Sequence, residues 1–183
     1  MIDLRNKELP DYITYDGKFY KLNTDYRIWL SYPDRMSGIT KGEYDGYIDL
    51  FADDVAPLHE DTVMALNAFY SPEKIVPKDD NYDGPDLIDY LIDGDYIYSG
   101  FVQAYGIDLV DTDMHWHKFL ALLEGLPDNT VMSKIISYRA YSGSSKDPGH
   151  KEYIKLQDMW ALPIKYTEEE QRQMDEFEAY FGG

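Results

Sequence analysis

Asp111-Thr112-Asp113-Met114-His115-Trp116-His117-Lys118-Phe119-Leu120-Ala121-Leu122-Leu123-Glu124-Gly125 is the stretch on which the reading of this fold turns. At period two, Asp111, Asp113, His115 and His117 would line one face of a strand and look like a metal site. At period 3.6, Trp116, Phe119, Leu120 and Leu123 form the apolar stripe of a helix that opens at Asp111-Thr112-Asp113 and stops at Gly125. The helical pattern accounts for more of the stretch, and it decides the metal question as well. On a helix Asp111 pairs with His115 and Asp113 with His117 on nearly opposite faces, so the four cannot converge on one ion. The aspartates are expected to cap, and the histidines to be surface or half-buried groups.

Working outward, helical spacing recurs on both sides. Pro127-Asp128-Asn129 opens a helix carrying Val131, Met132, Ile135, Ile136 and Tyr138, with Arg139 near the end that favours a cation. After a loop at 142–149, a helix over 152–161 carries Tyr153, Leu156 and Trp160, and another covers 167–181. Thr167 and Glu170 form a capping box for this last helix, and Met174, Phe177 and Phe181 make its thin stripe. Towards the N-terminus, Leu87, Ile88, Leu91 and Ile92 read as helix, weakened at Asp93-Gly94-Asp95 and resumed through Tyr98, Phe101, Val102 and Tyr105 to a Gly106 cap. Val63, Leu66, Phe69 and Tyr70 give a helix over 59–70 that stops at Ser71-Pro72. Asn23-Thr24-Asp25 caps a helix with Tyr26, Trp29 and Leu30, which Pro33 ends or bends. The span 37–56 has mixed periodicity, with a short helix at 47–51. The one strand signal is Tyr12-Ile13-Thr14-Tyr15, Asp16-Gly17, Lys18-Phe19-Tyr20-Lys21-Leu22, a hairpin over 12–22. The expected fold class is mainly α: a single domain over 10–163 with about six to eight helices and a small N-terminal hairpin, followed by an amphipathic helix in 164–183.

Composition narrows the function. The 183 residues include 35 Asp and Glu against 17 Lys and Arg, a formal net charge of -18. That field repels phosphate backbones and anionic lipid, so binding to nucleic acid or to a membrane surface is not expected. With no cysteine there is no disulfide, thiolate chemistry or Cys-based zinc site. Residues 1–8 are too polar for a secretory signal, and no apolar run approaches the roughly 20 residues of a membrane span.

Motifs for chemistry are absent or incomplete. No nucleophile elbow, phosphate-binding loop, dinucleotide fingerprint or H-E-x-x-H motif occurs, and His59 and His150 stand alone. Asp79, Asn81, Asp83 and Gly84 fit the opening of a calcium loop, yet Tyr90 stands at the twelfth position where a bidentate glutamate belongs. The acidic loop 79–90 is therefore read as solvated rather than as a calcium site. The protein is expected to bind other proteins, with no catalytic residue and no cofactor. The 18 tyrosines suit that role, because tyrosine offers a rigid contact face at low entropic cost.

The segment 95–139 resembles a known family. Asp95-Tyr96-Ile97-Tyr98, Phe101-Val102-Gln103-Ala104-Tyr105-Gly106-Ile107-Asp108-Leu109, His115-Trp116 with Lys118-Phe119 and Leu122-Leu123, and Ser133-Lys134-Ile135-Ile136 with Tyr138-Arg139 look like the bacteriophage "gene product fifteen" family. Asp25-Tyr26-Arg27 with Trp29, and Leu66-Asn67-Ala68-Phe69-Tyr70, are similar too. The resemblance implies a small acidic helical protein of tailed phages and prophages, made in the host bacterial cytoplasm. Its genes usually lie between those for the major tail protein and the tape-measure protein. That order implies a tail-assembly chaperone that coats the tape-measure protein and gives way to tail-tube subunits. The resemblance supplies no catalytic residues. Met174, Phe177 and Phe181 are the residues expected either to dock on the core or to engage a partner, including a second copy. The alternative is an acidic DNA mimic that inhibits a host nucleic-acid-binding protein, whose binding would collapse as salt rises.

Overall fold

Asp16 and Gly17 both take positive φ, 47° and 71°, the geometry of a type I′ turn, and they join β1 (Tyr12–Tyr15) to β2 (Lys18–Lys21) as the Asp-Gly pair predicts. The computed structural model describes residues 2–73, 86–163 and 172. The antiparallel register sets Ile13 opposite Tyr20 and Thr14 opposite Phe19. Ile13 and Tyr20 are buried, whereas Tyr12 and Phe19 stand exposed with their rings edge to face at 5.0 Å. A lone hairpin is marginal in water, and this one is held by packing of β1 on the fourth helix.

Among the described residues there are eight helices, so the architecture is mainly α with one small antiparallel hairpin. Asp25 caps α1 (Tyr26–Leu30), its carboxylate accepting from the Arg27 N–H at 2.9 Å. The chain breaks at Ser31, and Pro33 lies in the first turn of α2 (Tyr32–Thr40). Proline loses nothing there, since first-turn N–H groups have no intrahelical acceptor. The short helix expected at 47–51 is α3 (Asp45–Ile48); Phe51 has left it to bridge Leu22 beside the hairpin. α4 (Glu60–Tyr70) starts at His59, whose Nδ1 accepts from the Asp61 N–H. Its fully buried side chains are Thr62, Leu66 and Phe69, with Val63 and Tyr70 half-buried.

The helix expected from Leu87 to Ile92 does not form. These residues run through turns, Leu91 is 91% exposed, and only α5 (Gly94–Tyr105) is helical, closing on Gly106 at φ 66°. The Leu87 carbonyl, which a helix would turn towards residue 91, accepts from Arg139 Nη1 at 2.8 Å instead. α6 (Trp116–Glu124) begins later than the aspartates suggest. The Trp116 N–H donates to the Thr24 carbonyl at 2.8 Å and the Tyr26 N–H to that of Met114 at 2.9 Å, holding the approach to α6 extended against the start of α1. Thr130 precedes α7 (Val131–Arg139), its hydroxyl oxygen accepting from the Ser133 N–H. α8 (His150–Trp160) follows a left-handed Gly149.

The chain divides into two compact units, which among the described residues take 2–73 with 90–134, and 86–89 with 135–163 and 172. The core of the first is aromatic: Trp29, Phe101, Trp116 and Phe119 are almost fully buried. Phe119 stacks between Tyr26 at 4.8 Å and Phe101 at 5.3 Å, and Trp116 stacks on Tyr70 at 5.4 Å. Three buried ring donors reach backbone carbonyls, as a buried donor must. Trp29 Nε1 donates to Asn23 at 2.7 Å, Tyr47 to Ala56 at 2.9 Å and Trp116 Nε1 to Tyr70 at 2.8 Å. The second unit rests on Arg139, buried and donating to the carbonyls of Trp160 and Leu87, and on Tyr141 stacked against Tyr153 at 4.8 Å. No residue of α8 is fully buried; Leu156 and Trp160 are half-buried and Tyr153 is exposed.

Candidate functional site

The C-terminal end of α4 and one face of α6 line a cleft of about 710 Å³. Helical spacing puts Trp116, Leu120, Ala121 and Glu124 of α6 on that side, while Tyr70, Ser71 and Glu73 come from the end of α4 and the residues after it. Tyr90 closes the cleft, its ring edge-on to Trp116 at 5.9 Å. Burial raises the Tyr90 hydroxyl well above its ordinary pKa, with the Tyr70 hydroxyl and the Glu124 carboxylate adding to the effect. The group stays protonated, and able to donate, at any physiological pH.

His117 also lines the cleft, and it is only 4% exposed. Its Nε2 is 2.8 Å from the Phe69 carbonyl, so the proton sits on Nε2 and the bond runs from that N–H. Nδ1 is buried with no hydrogen-bond partner, and burial lowers the pKa to about 4. The neighbouring His115 is the N-cap of α6: its Nδ1 accepts from the His117 N–H at 3.0 Å, and its Nε2–H donates to Pro10 at 2.9 Å. Burial lowers its pKa too. Both imidazoles are therefore neutral at pH 7, and each ties the start of α6 to a backbone carbonyl of a distant segment.

These positions correct the sequence expectation for 111–117. Asp111 and Asp113 do not cap α6; Asp113 is exposed and meets Arg27 at 3.1 Å. His117 is not at the surface, because the helix starting at Trp116 turns it towards Phe69 rather than outward. Among the described residues, no group of three or more His, Cys, Asp and Glu side chains is placed to hold a metal ion. Asp79, Asn81, Asp83 and Gly84 lie outside the described residues, as do Met174, Phe177 and Phe181.

The cleft is not legible in the sequence. Leu120 reads there as core, and Tyr90 only as the wrong residue for a calcium loop. The available signal is Tyr70, an aromatic on the last turn of a helix directly before Ser71-Pro72. A second hollow of about 350 Å³ lies between Tyr26, Ile97, Leu109 and Phe119, with Arg27 at its edge. No helix among the described residues is long and apolar enough to cross a membrane. No curated protein and no solved structure matches the chain. One family model does match, over residues 5–162, and since that span is most of the chain, this protein belongs to the family described as Bacteriophage Gp15 protein.

Proposed function

We propose that the protein is a non-enzymatic tail-assembly chaperone that holds the phage tape-measure protein in the host bacterial cytoplasm until tail-tube subunits replace it. The observation that carries this reading is an open, aromatic-lined cleft in a chain whose formal charge is -18. Apolar lining holds the exposed face of a helical client, and surplus charge keeps the complex from associating further. Membership of the phage family supplies the setting. Met174, Phe177 and Phe181 are proposed as a further contact with the tape-measure protein, the tail-tube protein or a second copy.

Co-expression with a tape-measure fragment tests the reading. The fragment should stay soluble and elute with the full chain, and the complex should survive high salt, since apolar burial is not screened. A fragment that precipitates while this chain elutes alone would remove the proposal. The charge also suits a DNA mimic; capture of a basic nuclease, lost as salt rises, would favour that instead.

A further inference from the structure

Backbone bonding alternates along an antiparallel hairpin, and here the Leu22 N–H donates to the Asp11 carbonyl at 2.7 Å. Counting along the register from that pair, Ile13 with Tyr20 and Tyr15 with Lys18 are the residues that exchange bonds, so Tyr12 and Thr14 turn their N–H and C=O groups away from β2. The outward groups of β2 lie on its other edge. There the Lys21 carbonyl accepts from the Ala52 N–H at 3.0 Å, and Leu22 bridges Phe51. One edge of the hairpin is thus tied down and the other is open. Among the described residues no hydrogen bond reaches the outward backbone groups of Tyr12 or Thr14, and both residues are exposed. Proteins usually blunt an open edge with charge, proline or a bulge. Tyr12-Ile13-Thr14-Tyr15 carries neither a charged side chain nor a proline, and its register with β2 is unbroken.

We propose that this edge pairs with a second copy of the chain: β1 of each copy lies antiparallel to the other across a two-fold axis at Ile13, joining the hairpins into one continuous sheet. Tyr12 of each copy then stands opposite Thr14 of the other, and every outward N–H and C=O gains a partner. Charge selects a copy of this chain over another strand. At a formal charge of -18, two copies repel on most approaches, and a two-fold contact sets each surface against itself. In this register Asp11 falls opposite Tyr15 and Asp16 opposite Pro10, so no acid directly opposes an acid. An uncharged strand is where like-charged chains can meet, whereas it offers a cationic partner nothing that the acidic surface does not offer better. The contact does not depend on the chaperone function.

Sedimentation velocity of the full chain over a concentration series should show a reversible monomer–dimer equilibrium, tighter at about 0.15 M salt than at about 0.01 M because screening relieves the repulsion. Amide exchange at Tyr12 and Thr14 should slow as the chain is concentrated. Thr14→Pro removes an outward N–H that the hairpin itself does not use, and should weaken association at least about tenfold. Tyr12→Lys/Thr14→Lys and Tyr12→Glu/Thr14→Glu each set like charges across the axis. Each double variant should be monomeric alone, and their mixture should form a heterodimer. Phe19→Ala, on the same face but away from the open edge, should leave association within about threefold of the parent. Circular dichroism and the thermal midpoint check the fold; if Thr14→Pro unfolds the hairpin, the charged pair of variants decides. A chain that stays monomeric up to about 1 mM, or association that the edge variants leave intact, would overturn the proposal. A monomeric chain that loses the tape-measure fragment on Thr14→Pro would give the edge to the client and overturn it as well.

Discussion

His117 shows what burial does to one titratable side chain. Folding places its ring beside Phe69 and buries Nδ1 with no protein acceptor in reach, so a proton added there would be poorly solvated. The unfolded chain takes that proton below about 6.5 and the folded chain holds out to about 4. Stability is therefore complete above pH 6.5 and declines as pH falls towards 4. The loss reaches about 3 kcal/mol from this group when the two pKa values are linked. His115, also lowered by burial, acts in the same direction. Urea unfolding of the parent and of His117→Gln, compared between neutral and mildly acidic pH, should show a shallower decline in the variant. Parallel declines would assign the acid sensitivity to other groups. In the sequence these histidines read as surface or half-buried groups, and the full burial of His117 was not legible, because two residues' spacing from an aspartate says nothing of a partner 48 positions away.

Among the elements, the hairpin is the piece most governed by its own residues. Gly17 sits at φ 71° with no atom near the place a Cβ would occupy, so substitution there tests backbone conformation alone. Gly17→Ala should cost about 1 kcal/mol, read from the denaturation midpoint. A neutral result would mean the turn relaxes without loss. The last stripe of the sequence, Met174, Phe177 and Phe181, makes a separate prediction. Removal of residues 165–183 should weaken tape-measure binding or self-association and leave the helical circular dichroism spectrum of the remainder in place. An unchanged pull-down would discard the partner role for that stripe. α6 shows where element-level reasoning reaches its limit: its stripe and its Gly125 stop were legible, but its first residue was not. The aspartates that mark a start in the sequence are turned away, one of them towards Arg27, and a histidine caps instead.

For the whole molecule, charge dominates. The ion pairs seen among the described residues each have at least one exposed side chain, so each contributes little. The excess of carboxylates repels itself in the folded chain more than in the expanded one. Raising ionic strength from about 0.01 M to about 0.15 M should therefore raise the thermal midpoint. A midpoint that falls with salt would mean that attractive pairs outweigh the net repulsion.

What the amino-acid order determined alone was what depends on near neighbours, the Asp-Gly turn, the stripes of α4 and α6 and the Gly106 stop, together with what depends on the chain as a whole, the acidic field and the family to which it belongs. What tertiary structure decided was each case in which a local preference met a distant partner. Leu87 gave its carbonyl to Arg139 rather than to a helix, Trp116 gave its N–H to Thr24, and Tyr70, Tyr90 and Leu120 came together around one cleft. Local patterns set which conformations are cheap. Burial of large aromatic rings, with their polar handles satisfied, stabilises more strongly than those local preferences and so chooses among them.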